Sequence, residues 1–187
     1  KNYQQQKIPH PPTILFFGRI LKYKGLEILL KAFPIIKKEI PQTRLLIVGR
    51  GKISSYKKFL VQKDIFIENK WIEDKEVGKY FIQSDILVCP YKEASQLGTI
   101  PVAYAFKMPV IATKVGGLVE QVDNGLTGFL ISPNNPQELA EKCIFLLKNQ
   151  KEREKMGENG FEKAKREWNW ELISEKVLES LKKAVNK

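Results

Sequence analysis

The sequence predicts an α/β domain built on an open parallel sheet with helices on both faces, followed by further helices. Two observations predict it. Short apolar runs alternate with amphipathic segments from about residue 13 to residue 131, and the runs are apolar at nearly every position, as strands buried on both faces are. Parallel neighbours require crossover connections, and the amphipathic segments between the runs supply them.

In chain order, residues 1–12 carry three glutamines and three prolines and read as a linker remnant, with the folded part starting near Thr13. Strands are expected at 13–18, 44–49, 65–69, 86–90, 109–113 and 128–131. Residues 25–39 place Leu26, Leu29, Leu30, Phe33 and Ile36 on one helical stripe, ended by Pro41. Helices at 54–61, 73–84 and 96–106 fill the following gaps, and 118–122 makes a short helical turn. Beyond the last strand three helices are expected at 136–149, 152–167 and 169–185, with Trp168 and Trp170 as packing anchors at the last junction. This alternation is Rossmann-like. It divides the chain into the linker remnant, a domain over 13–168, and a last helix within 169–187.

Composition narrows the function. At 187 residues with 43% hydrophobic and 10% aromatic residues, the chain can bury the core of one sizeable domain, which excludes disorder and a disulfide-stapled miniprotein. Its apolar runs are too short to span a bilayer and its first residues lack a signal peptide's apolar stretch, so a cytoplasmic location is expected. Cys89 and Cys143 have no framework spacing and read as reduced thiols, Cys89 as a buried small residue rather than a nucleophile. The lone histidine, His10, rules out a multi-histidine metal site and leaves a Ser-His-Asp triad dependent on the linker. No Asp-x-Asp pair occurs, so no metal is expected. Anion binding must then rest on arginine, lysine and backbone N–H groups.

The excess of 32 Lys+Arg over 21 Asp+Glu gives +11 and favours anionic partners. Much of it falls in 31–38 and 142–166, where Glu and Lys alternate as on a solvated face. Aromatics are not interleaved with a basic patch, so nucleic acid is not an expected partner.

Ligands of open parallel sheets bind beyond the carboxyl ends of the strands. Gly18 and Arg19 end the first strand, and Lys24 and Gly25 follow at the mouth of the first helix, a set suited to a diphosphate. A solvated pair flanking a turn is the alternative. The Gly49-Arg50-Gly51 turn lacks the third glycine of a dinucleotide fingerprint, which disfavours NAD. Residues 90–99 join a strand to a helix, where Glu93 can accept hydrogen bonds from hydroxyls and nearby amides can cradle phosphate. Gly116-Gly117 permits close ligand approach or is a plain tight turn.

These pieces are in register with six motifs: Gly18-Arg19 with Lys24-Gly25; Leu45 to Gly49; Ser84 to Pro90; Glu93 to Gly98; Met108 to Thr113; and Val115 to Glu120 with Asn124 to Leu130. Together they resemble the C-terminal donor-binding domain of GT-B glycosyltransferases of group 1, or family 4, over about Thr13 to Trp168. The resemblance implies a retaining, metal-independent transfer from a nucleotide diphosphate sugar, UDP- or GDP-linked, without a cofactor. The acceptor would be a glycan or glycolipid. In this family's terms Arg19 and Lys24 grip the diphosphate and Gly18 makes room for it. Trp71 and Ile72 stand where the nucleobase is held, while Glu93 and the amides of Gln96, Leu97, Gly98 and Thr99 hold the sugar and distal phosphate.

Two departures are visible. The family often carries a second glutamate eight residues after the first, to bind ribose hydroxyls; here that residue is Pro101, and anchoring on Pro109-Val110 puts Ala94 and Val102 at the two positions. A non-catalytic binding or scaffolding module is therefore the alternative reading. A GT-B enzyme also closes two domains over its substrates, and only one is expected here, so the chain reads as an excised half, inactive alone, whose acceptor is met through the missing N-terminal domain. A lipid-linked acceptor would make contact of the basic surface with an anionic membrane useful.

Overall fold

Each apolar run forms a strand. The computed structural model describes residues 10–94 and 98–168, and its strands are β1 (Thr13–Phe17), β2 (Arg44–Val48), β3 (Ile65–Glu68), β4 (Ile86–Cys89), β5 (Val110–Thr113) and β6 (Gly128–Ile131). They form one sheet in the order β3-β2-β1-β4-β5-β6, with every neighbouring pair parallel.

The strands alternate between two cores, as the two-residue period of a pleated chain requires. Ile14, Phe16, Leu45, Ile47, Ile86, Val88, Ile111 and Ile131 meet helices α1 (Leu26–Glu39) and α5 (Pro136–Lys148) on one face. Leu15, Leu87, Cys89, Val110 and Ala112 meet α2 (Asp74–Ile82), α3 (Thr99–Ala105) and α4 (Leu118–Gln121) on the other. Most of these side chains are fully buried, each Leu, Ile or Phe contributing about 1.5–3 kcal/mol. Helix α6 (Gln150–Glu167) packs along α3, where Gly160 lies against the Tyr104 ring and Trp168 stacks on that ring at 5.9 Å and 7°. Trp168 is thus a packing anchor. Trp170 and the helix expected at 169–185 lie outside the described residues.

Two local expectations are corrected. The segment at 54–61 is a 3-10 helix over Ser54–Phe59, the tighter form that short connectors adopt. Helix α3 starts at Thr99 rather than Gln96, which puts Pro101 in the first turn, where its missing N–H has no intrahelical role; residues 95–97 are outside the description. Lys163 is an exception in the stretch 142–166, most of whose lysines are expected on a solvated face, and is only 5% exposed. Its ammonium donates to the Glu120 carbonyl at 3.0 Å and to Asp123 Oδ1 at 2.6 Å, which compensates the burial.

The amino ends of the strands are tied by buried Asp85. Its carboxylate accepts from the Thr13 N–H at 2.9 Å, pairs with Arg153 at 3.5 Å, and lies 3.8 Å from His10 Nδ1. His10 thus sits at the end of the sheet opposite the crevice described next. Among the described residues no helix is long and apolar enough to cross a membrane.

Candidate functional site

From β1 the chain winds outward through β2 to β3, then returns to place β4 on the other side of β1. The loops after β1 and β4 therefore leave in opposite directions, and the crevice between them is the topological switch point at which such sheets bind ligands.

Gly18 follows β1 at φ +119, a conformation that side chains disfavour, and its N–H donates to the Val48 carbonyl at 2.9 Å. A Cβ on Gly18 would stand 3.0 Å from Lys24 Nζ. The missing side chain therefore makes room for the lysine. Arg19 is exposed, its carbonyl accepts from the Leu21 N–H at 3.1 Å, and among the described residues no hydrogen bond or ion pair restrains its guanidinium. The chain then makes a 3-10 turn over Lys22–Lys24 and enters α1 through Gly25.

Lys24 is the unusual residue of the loop. Only 8% exposed, it donates from Nζ to Tyr91 Oη at 2.9 Å, with the ring centroid 4.8 Å away. No carboxylate pairs with it among the described residues. Burial lowers its pKa from the usual lysine value and the neighbouring Arg19 adds to this, while Cys89 opposes it. Burial pushes the Cys89 thiol up to about 12, and the Tyr91 phenol is raised by burial as well. Both are neutral at ordinary pH. Cys89 is accordingly no nucleophile, and Lys24 is a buried cation without a counter-charge.

The remaining residues singled out by the sequence are placed as follows. Glu93 is exposed two positions beyond Tyr91, Gly98 is exposed with open space where a Cβ would stand, and Thr99 is the first residue of α3. Gln96 and Leu97 lie outside the described residues. Trp71, 71% exposed, and half-buried Ile72 follow β3, two strands from β1. The structure thus unites Gly18, Arg19 and Lys24 with the start of the 90–99 loop, and keeps Trp71 and Ile72 towards the β3 edge. Of the two readings of the Gly116 turn, close ligand approach or a plain tight turn, the geometry favours the second, since the chain itself fills the space: at φ +47, a Cβ there would lie 1.6 Å from the Ala94 carbonyl oxygen. Among the described residues no group of three or more His, Cys, Asp or Glu could hold a metal.

Tyr91 was not singled out by sequence reasoning. Its signal was an aromatic residue directly after the proline that closes a buried strand, at the carboxyl end of the sheet.

Six parallel strands in this order, with helices on both faces and after the last strand, make a Rossmann-like domain, an architecture that the C-terminal domains of GT-B glycosyltransferases share with other nucleotide-binding proteins. The solved C-terminal domain of the group 1 glycosyl transferase LpcC from Francisella tularensis superposes with a TM-score of 0.78 at 26% identity, over 90% of this chain and 92% of that one. The chain belongs to the group 1 glycosyl transferases, whose family model matches residues 1–163. It is 35% identical over 165 residues to the uncharacterized glycosyltransferase MJ1178 of Methanocaldococcus jannaschii, covering 84% of this chain and 44% of that protein. It is 30% identical over 176 residues to the capsular polysaccharide biosynthesis glycosyltransferase CapM of Staphylococcus aureus, covering 90% of this chain and 45% of CapM. The chain thus spans under half the length of these relatives.

Proposed function

We propose that this chain is the donor-binding half of a glycosyltransferase that moves a sugar from a UDP- or GDP-sugar to a glycan or lipid-linked acceptor. The observation that carries the reading is Lys24, a buried ammonium with no carboxylate partner at the switch point, beside the unrestrained Arg19. A buried cation is costly unless something anionic meets it, and a diphosphate is the anion that the family's donors carry. As the glycosidic bond breaks, negative charge grows on the departing diphosphate, and Lys24, held in place beforehand, stabilises that charge together with Arg19, which is free to close on it.

In this reading Glu93 accepts hydrogen bonds from sugar hydroxyls and the backbone at 96–99 holds the distal phosphate. Trp71 and Ile72 flank the base from the β3 side. Retention of anomeric configuration and independence of metal follow the family resemblance. The name of CapM supports an acceptor in polysaccharide assembly. The protein acts at the cytoplasmic side, with its basic surface free to meet an anionic membrane.

The test is calorimetric titration with UDP, GDP, ADP and their common sugars, with Arg19→Ala alongside. One nucleotide diphosphate should bind saturably, and the substitution should weaken it by about 1.5–3 kcal/mol, the scale of a charged hydrogen bond. Equal affinity of the variant removes Arg19 from the site. Binding of none of the nucleotides favours the non-catalytic module.

A further inference from the structure

The geometry assigns Tyr91 a role of its own: it is the positioning residue that holds the Lys24 ammonium at the donor crevice through a neutral acceptor, leaving the lysine's charge for the ligand's phosphates. This deepens the donor-site reading above and rests on it.

The mount is rigid. Tyr91 is 2% exposed, its carbonyl accepts from Thr113 Oγ1 at 2.5 Å, and its ring meets Tyr23 edge-on at 6.3 Å and 85°. The next residue locks the same junction, since the Lys92 N–H donates to the Tyr23 carbonyl at 2.7 Å and the Lys92 ammonium pairs with Glu27 of α1. The loops after β1 and β4 are thus fastened across the switch point, with Tyr91 and Lys24 at the fastening.

The chemistry of the partner is the point. A carboxylate at this place would also satisfy the lysine, but it would neutralise it and compete with a phosphate. A buried phenol accepts one hydrogen bond and adds no charge. The groups facing Lys24 are Tyr91 and Cys89 from the β4 side and Arg19 from its own loop, while Glu27 of α1 pairs through Oε1 with Lys92 and keeps Oε2 buried without a hydrogen-bond partner among the described residues. Neither Tyr91, Cys89 nor Arg19 supplies a negative charge at neutral pH, and among the described residues no carboxylate forms an ion pair with Lys24.

The experiment compares the unaltered chain with Tyr91→Phe, which keeps the ring and loses the acceptor. Lys24 is followed by NMR of 13Cε-labelled lysine, assigned with Lys24→Met, and UDP and GDP are titrated at pH 7 and pH 9.5. In Tyr91→Phe the Lys24 resonance should titrate about one pH unit lower, and the nucleotide Kd should rise about tenfold at pH 7 and more at pH 9.5. Nucleotide binding equally well to both proteins, with Lys24 titrating alike, overturns the role of Tyr91 and leaves the donor reading standing. A shifted Lys24 in a protein that binds no nucleotide diphosphate overturns the donor reading, and this inference with it. Should Tyr91→Phe not fold, amine acylation of the unaltered chain decides: Lys24 should react far more slowly than exposed Lys22 and be protected further by UDP or GDP. Equal reactivity of the two lysines would overturn the assignment.

Discussion

Lys24 sets stability and binding against each other within one side chain. With Tyr91→Phe as the background, the ammonium has no hydrogen-bond acceptor, and adding Lys24→Met removes a buried charge without leaving a buried hydroxyl unpaired. The double variant should be more stable than Tyr91→Phe by about 1–3 kcal/mol in urea titration, and should bind no nucleotide diphosphate. An equal or lower midpoint would show that the charge is already compensated. The same residue predicts a pH dependence. Unfolded, a lysine keeps its proton to about 10.5, while Lys24 in the folded chain releases it earlier. Between those two values the unfolded chain binds the extra proton, so stability rises with pH across that window, and the rise should be smaller in Lys24→Met. Binding runs the other way. Nucleotide affinity is full below the lowered value and falls as pH climbs through it, with proton uptake on binding measurable in buffers of different ionisation heat.

At the scale of elements, the crevice is shaped by loops packed on one another. Gly116 sits against the Ala94 carbonyl and Gly25 against that of Pro90, so the turns after β1, β4 and β5 fix each other's positions. Gly116→Ala places a Cβ where that carbonyl stands, at a positive φ. It should cost at least about 2 kcal/mol in denaturant unfolding and should also weaken nucleotide binding, because the loop it displaces carries Glu93. A stable variant with normal binding would show that the turn yields without moving its neighbour. The strands and their order of appearance were legible in the sequence because buried parallel strands are apolar at nearly every position. The Gly18, Arg19 and Lys24 set was legible because it follows a strand end. Burial of Lys24, the part played by Tyr91 and the filling of Gly116 were not, since each depends on contacts between loops 22 to 67 residues apart. Lys163 was not told apart from its solvated neighbours for a related reason: helical spacing shows which residues share a face, but its partners Glu120 and Asp123 lie 43 and 40 residues away.

At the scale of the whole molecule, binding and transfer belong to different parts of the architecture. The cations proposed to meet a diphosphate, Lys24 and Arg19, lie in this chain, yet Arg19, Glu93 and Gly98 are all exposed. In the proposed reading, a glycosyl group beside residues so exposed stays open to water. Effective transfer needs both the acceptor fixed near the anomeric carbon and water kept out, which in a two-domain enzyme comes from closure. The relatives are more than twice as long as the stretch matched here, and their remaining length is where a closing partner can come from. The 187-residue chain should therefore bind its nucleotide sugar and neither transfer nor appreciably hydrolyse it, as mass spectrometry of the incubated donor will show. Joined to the N-terminal half of a close relative, it should release nucleotide diphosphate in step with glycosylated acceptor, and Arg19→Ala should slow that release. Turnover by the chain alone would mean that this crevice orders acceptor and excludes water unaided, and the division of labour argued from its exposure would be wrong.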